Sequence, residues 1–176
     1  MPSVWRVRMK SGAPGVDHAA ARKFALTNGI VGAGWGLSDS NQGAEVPDGC
    51  RDILKYLRHA KMVFASDPSM LKAARVYGSQ MKIGDFCWTY NPETSDYWCC
   101  RIDGEFEYRA GDAFDLYDLH MTRRCTWANA GTKDVVPEVV TNALRSRFGT
   151  VTAIKTGAHI AVEAAQAALK REGIQV

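Results

Sequence analysis

The sequence predicts an α+β fold, with a curved, mostly antiparallel sheet that closes toward a barrel and is flanked by helices. Three observations carry that expectation. The elements run strand, helices, several strands, helix. Two aromatic strands flank a turn-forming hexapeptide, and an alanine-rich helix comes last. At 176 residues, 46% hydrophobic and 23% charged, the chain has ordinary globular composition and the size of one domain, 1–176.

Val4 to Met9 alternates apolar and polar residues, the period of a half-buried strand. Ser11 to Val16, with two glycines and a proline, is a turn, and Ala19 to Leu26 suits a short helix. Gly29 to Gly36 is apolar and glycine-dense, a buried strand running into a loop at Leu37 to Asn41. Asp48 to Met62 reads as a helix capped by Asp48, with Ile53, Leu54 and Leu57 on one face. A second helix runs from about Asp67 to Tyr77, opened by Asp67-Pro68. Lys82 to Asp85 is a tight turn. The hexapeptide Asn91 to Asp96 then joins strands Phe86 to Tyr90 and Tyr97 to Ile102 into a hairpin. Gly104 to Tyr108 and Asp115 to Trp127 read as further strands, Pro137 to Leu144 as a helix, Thr150 to Ile154 as a strand, and Ala158 to Arg171 as the terminal helix.

No apolar run reaches the ~18–20 residues of a membrane span, and the opening MPSVWRVRMKSG is not a secretory signal. The five cysteines are odd in number and lack CxxC spacing, which suits free thiols in a reducing cytoplasm better than disulfides or a zinc site. The expected localisation is cytoplasmic, with no membrane partner. A net charge of +3 permits a nucleic-acid partner without demanding one. No GxxxxGK[ST], HExxH, GxSxG or GxGxxG motif occurs. Asp112, Asp115 and Asp118 repeat every third residue and suggest a metal, but a solvated acidic turn explains them better. No cofactor, metal or catalytic residue is expected, and the chain is not expected to be an enzyme.

Several segments in order carry a resemblance. They are Gly34-Trp35-Gly36; Gly84-Asp85-Phe86-Cys87-Trp88-Thr89; Tyr97 through Ile102 and Gly104 to Tyr108; Arg123-Arg124-Cys125-Thr126-Trp127; and Val136-Pro137 through Arg147 to Thr150-Val151. From about residue 4 to 154 the set resembles the EVE/PUA-like domains of modification-dependent restriction proteins, which are related to YTH readers. Cys100 stands where that pattern has a hairpin glycine, and Leu37 to Asn41 departs from its usual acidic-Leu-Ser sequence. The resemblance implies a PUA-like curved sheet or partly closed barrel. It also implies a base, modified DNA first and RNA second, flipped into an aromatic cage.

In such a pocket, stacking contributes on the order of 1–3 kcal/mol per base, and an added methyl about 0.8 kcal/mol when buried. Rim hydrogen bonds then discriminate. Taken alone, Trp35 between its glycines fills core; the resemblance makes it a pocket wall. Phe86, Trp88 and Tyr90 share one strand face, which is either core or cavity, and the resemblance assigns Trp88 to the pocket. Tyr97 and Trp98 point to opposite faces, so one is a third wall and the other packs inside. Ser38 and Asp39 either read the base edge or cap a loop. Arg123 and Arg124 straddle a strand, so one faces solvent and the other inward; with Arg145 and Arg147, extended by Lys155, they are the expected phosphate-binding rim, a merely solvated arginine being the alternative. A nuclease or motor would be a separate effector chain. Two rival readings are a protein–protein adaptor, phage-encoded or defence-related, and a small enzyme acting on a nucleobase with a polar triad in the pocket.

Overall fold

The computed structural model describes residues 1–65, 67–146 and 149–176. The chain is α+β. Among the described residues its strands are β1 (Val4–Val7), β2 (Ile30–Ala33), β3 (Phe86–Asn91), β4 (Asp96–Tyr108), β5 (Met121–Gly131) and β6 (Val151–Ala153). They form a sheet in the order β2-β5-β4-β3-β1-β6. β3 pairs antiparallel with β4, β2 with β5, and β1 with β6, while β1 and β3 run parallel, so the sheet is mixed. The α-helices among the described residues are α1 (His18–Thr27), α2 (Ile53–Phe64), α3 (Pro68–Arg75), α4 (Asp112–Tyr117), α5 (Glu138–Arg145) and α6 (Ala158–Arg171).

The chain divides into two compact units: Met1–Arg8, Lys82–Asp103 and Cys125–Val176 form one, and Met9–Met81 with Gly104–Arg124 the other. In the first, the aromatic hairpin forms as expected, with Trp88 opposite Cys99 and Tyr90 opposite Tyr97. The alanine spacing of α6 presents Ala161, Ala165, Ala168 and Leu169 to a core that also holds Val4, Phe86, Trp88 and Tyr97. Small side chains let the helix lie close to the sheet, so the large rings of β3 fill the layer between. Asp85 clasps this unit. Its buried carboxylate accepts from the amides of Ser3 and Lys82 and from Trp5 Nε1, at 2.8 to 3.0 Å.

In the second unit two expectations change. The cap of α2 is Asp52, whose carboxylate accepts from the amides of Leu54 and Lys55, while Asp48 holds Arg109 Nε at 2.8 Å. An Asx cap needs its carboxylate next to the first free amides, and only Asp52 is so placed. The stretch from Asp115 is not all strand, because Asp112–Tyr117 is α4 and β5 begins at Met121. Asp67 does cap α3, with Pro68 in the first turn, and a π-helical segment, Val76–Gln80, continues it.

Candidate functional site

The residues that converge in the second unit belong to the loop after β2, the turn after α4 and the ends of β4 and β5. β2 stops at Ala33, whose carbonyl accepts the His120 amide at 2.8 Å; the His120 carbonyl in turn accepts the Arg109 amide at 2.8 Å. His120 therefore ties three segments together. The next three residues, Gly34-Trp35-Gly36, pass directly over it. A Cβ on Gly34 would collide with the Asp118 carboxylate, and one on Gly36 with the His120 ring. Glycine is required at both places for close approach, not for φ.

Trp35 lies between them at φ +69, a left-handed conformation that is a genuine outlier for a bulky residue. Two bonds hold it there. Its indole Nε1 donates to Asp67 Oδ2 at 3.0 Å, and its carbonyl accepts the Tyr56 hydroxyl at 2.9 Å. The indole is half-buried. Burial pushes the Asp67 carboxyl up, but the bonds from Trp35, Ser69 and Met70 outweigh it and hold it below the usual carboxylate range.

Beneath the loop, the rings of Tyr56, Tyr108 and His120 make a column, with centroids 5.3 and 6.0 Å apart and planes within 30°. Burial pushes both phenols up, so they stay neutral donors and acceptors. The Tyr108 hydroxyl accepts the Leu37 amide at 2.9 Å. The His120 ring is only 4% exposed. Its Nδ1 lies 2.9 Å from the Arg109 carbonyl; a carbonyl only accepts, so Nδ1 carries the proton. Nε2 then faces Asp118 at 3.7 Å. Asp118 itself adopts φ +48 and accepts a bond from the Ser11 hydroxyl. Ser38, exposed beyond the loop, donates to Asp115 at 2.6 Å. Among the described residues no group of three or more His, Cys, Asp or Glu side chains is placed to hold a metal ion.

Of the residues expected at a base pocket, Trp35, Ser38 and Asp39 lie together on this loop, and the last two are exposed. The other three belong to the first unit. Trp88 is core: its side chain is fully buried and Nε1 donates to the Ala161 carbonyl at 3.2 Å. Its alternation on β3 points it at α6, which leaves no face for a ligand. Tyr97 is also core, packed 4.9 Å from Tyr90, and Trp98 is the half-buried member of the pair.

The expected phosphate rim loses Arg123 to the interior. Arg123 is buried, with Nε donating to the Tyr77 carbonyl at 2.5 Å and Nη1 to the Gly104 carbonyl at 3.0 Å, so its charge is structural. Arg124, Arg145 and Lys155 are exposed, Arg124 in the second unit and the other two in the first, while Arg147 lies outside the described residues. The sequence weighed Asp118 only as part of an acidic turn and did not place His120, Ser11, Tyr56 or Tyr108 at the site, although all of these support the loop. The one signal was Gly34-x-Gly36, two glycines spaced to lie against something bulky. No helix among the described residues is long and apolar enough to cross a membrane. The chain matches no family model, no characterised protein and no solved structure.

Proposed function

We propose that the chain is a nucleic-acid-binding module in which the Trp35 loop takes a flipped base, a modified DNA base first, and recognises it without catalysis. One observation carries this reading. A large aromatic residue is held in a strained conformation, φ +69, with its Nε1 edge anchored to Asp67 and its carbonyl anchored to Tyr56. Backbone strain of this kind costs on the order of 1–3 kcal/mol and persists only where surroundings over-determine it, most often at ligand sites. Ser38, whose hydroxyl already donates to Asp115, and Asp39 follow on the exposed turn and supply acceptors for the base edge. The resemblance to EVE/PUA-like domains, whose Gly-Trp-Gly turn coincides with this loop, agrees with the reading.

The test is a titration of oligonucleotides carrying different modified bases, followed by tryptophan fluorescence and anisotropy. Binding that favours one modification, and weakens by ~1–3 kcal/mol in Trp35→Ala with the melting temperature largely kept, supports it. Equal affinity of wild type and Trp35→Ala for every oligonucleotide overturns it.

A second reading is favoured by buried His120 facing the half-buried Asp118 at 3.7 Å, a pair with the composition of a general acid–base couple. It makes the chain a small enzyme acting on a nucleobase. Turnover of a free or strand-borne base by the wild type, abolished in His120→Gln, would select it.

A further inference from the structure

The charge of this chain is concentrated in one stretch that composition alone conceals. Between Ile53 and Met81 the sequence holds five cations, Lys55, Arg58, Lys61, Lys72 and Arg75, against a single acid, Asp67. That stretch carries a net +4, whereas the whole chain carries +3, so the remaining residues sum to −1. It coincides with α2 and α3, which pack on each other within the second unit. Arg58 and Lys61 are exposed one turn apart on α2, and Lys72 and Arg75 are exposed one turn apart on α3. No ion pair joins any of these four to an acidic group among the described residues. The one acid is already engaged: Asp67 caps α3 and accepts the Trp35 indole. It thereby places the indole beside the first turn of the basic helix.

We propose that the exposed basic face of α2 and α3 is the surface on which the phosphate backbone of the nucleic-acid strand docks while the Trp35 loop holds its base. The inference rests on the base-binding reading above and supplies phosphate-binding cations in place of Arg123, which is buried. Cations with no acidic partner release counterions from phosphates on binding instead of exchanging one protein ion pair for another. Four of them on two packed helices, one turn apart in each, suit successive phosphates. The face also exposes Leu54 and Met62 beside Arg58, so an anionic lipid surface is the competing partner. The strand is favoured because Asp67, the cap of α3, also holds the Trp35 indole, which sets an aromatic ring on which a base can stack at the start of a helix that bears two of these cations.

The experiment measures affinity for a short single-stranded oligonucleotide against salt concentration, for wild type and for a variant with Arg58→Glu, Lys61→Glu, Lys72→Glu and Arg75→Glu combined. Circular dichroism checks folding. A second variant with Gln at the same four positions substitutes if the first does not fold. Arg124→Glu with Arg145→Glu is the control, and vesicles of phosphatidylserine and phosphatidylcholine form a separate arm. The expected result is a log–log salt slope that flattens by about 0.7 for each phosphate the variant no longer neutralises, with the control near the wild type. A slope unchanged in both four-site variants, while Trp35→Ala weakens binding, overturns this inference and leaves the base-binding reading standing. An equal weakening in the control overturns the placement. A wild type that binds no oligonucleotide overturns both proposals, and if it binds the anionic vesicles instead, the face is a membrane surface.

Discussion

The indole of Trp35 and the carboxylate of Asp67 meet at 3.0 Å, and the same carboxylate accepts the amides of Ser69 at 2.8 Å and Met70 at 3.4 Å. The cap that starts α3 is therefore also the anchor of the strained loop, and a change in one is felt in the other.

This sharing sets the first prediction. Asp67→Ala removes the cap, costing about 1 kcal/mol, and also frees the indole, which reads as a red shift and broadening of tryptophan emission. Asp67→Asn keeps a capping oxygen but removes the charge. The folded carboxyl titrates below its unfolded value, so its stabilisation is complete above the unfolded value near pH 4 and disappears as pH falls through the folded one. Melting temperature plotted against pH should thus fall less steeply through the acid range in Asp67→Asn than in wild type. Parallel acid limbs would show that the bond carries no charge-dependent energy.

Trp88 sets the second. Its ring is fully buried between β3 and α6 and its Nε1 satisfies the Ala161 carbonyl. Trp88→Ala should therefore cost ~3–5 kcal/mol of stability, read by denaturant unfolding, while oligonucleotide affinity of the folded fraction stays at the wild-type value. A normal unfolding midpoint combined with abolished affinity would return Trp88 to a binding role.

The third concerns the thiols. Burial pushes Cys99 up to about 12 and lifts Cys100 and Cys125 as well. Cys87 is buried too, and Cys50 is half-buried. A thiolate is the reactive species, so a chromogenic disulfide reagent at pH 8 should label Cys50 quickly and the other four only after denaturant is added. Rapid labelling of two or more thiols in the folded protein would contradict this packing.

Local chemistry made part of the fold legible. The hexapeptide Asn91 to Asp96 is turn-forming between alternating strands, and the spacing of Ala161, Ala165 and Ala168 writes the buried face of α6. What stayed hidden depends on partners distant in sequence. Alternation put Phe86, Trp88 and Tyr90 on one face, but only the arrival of α6 makes that face core at Trp88. The strand pattern placed one of Arg123 and Arg124 inward. That Arg123 is the one follows from the carbonyls of Tyr77 and Gly104, which the folded chain brings to it. The segment Asp112–Tyr117 carries strand-forming aromatics yet forms α4, where Phe114 and Tyr117 pack on Phe24 of α1. The basic face of α2 and α3 was written openly in the sequence, and a whole-chain charge of +3 averaged it away.

The close approach of Gly36 to His120 sets the fourth prediction, and it separates steric from conformational need. Gly36 is not among the glycines with positive φ, so alanine meets no backbone penalty there. What it meets is the His120 ring, where a Cβ would overlap Nε2 and Cε1. That ring has little room to retreat. Its Nδ1 is bonded to the Arg109 carbonyl, Tyr108 stacks on it at 6.0 Å, and its amide holds Ala33. Gly36→Ala should therefore cost ~1–3 kcal/mol, the usual range for overpacking, and displace Trp35, which follows the same backbone. His120→Ala should be destabilising by itself through the cavity it leaves and the missing bond to Arg109. Combined, the two changes should cost clearly less than their sum, because the ring that blocks the new methyl is gone. A favourable coupling of ~0.5 kcal/mol or more in a double-mutant cycle is the expected reading, since residues in contact depart from additivity by that much. Strict additivity would mean that the loop does not rest on the His120 ring, and that its glycines serve some need other than close approach.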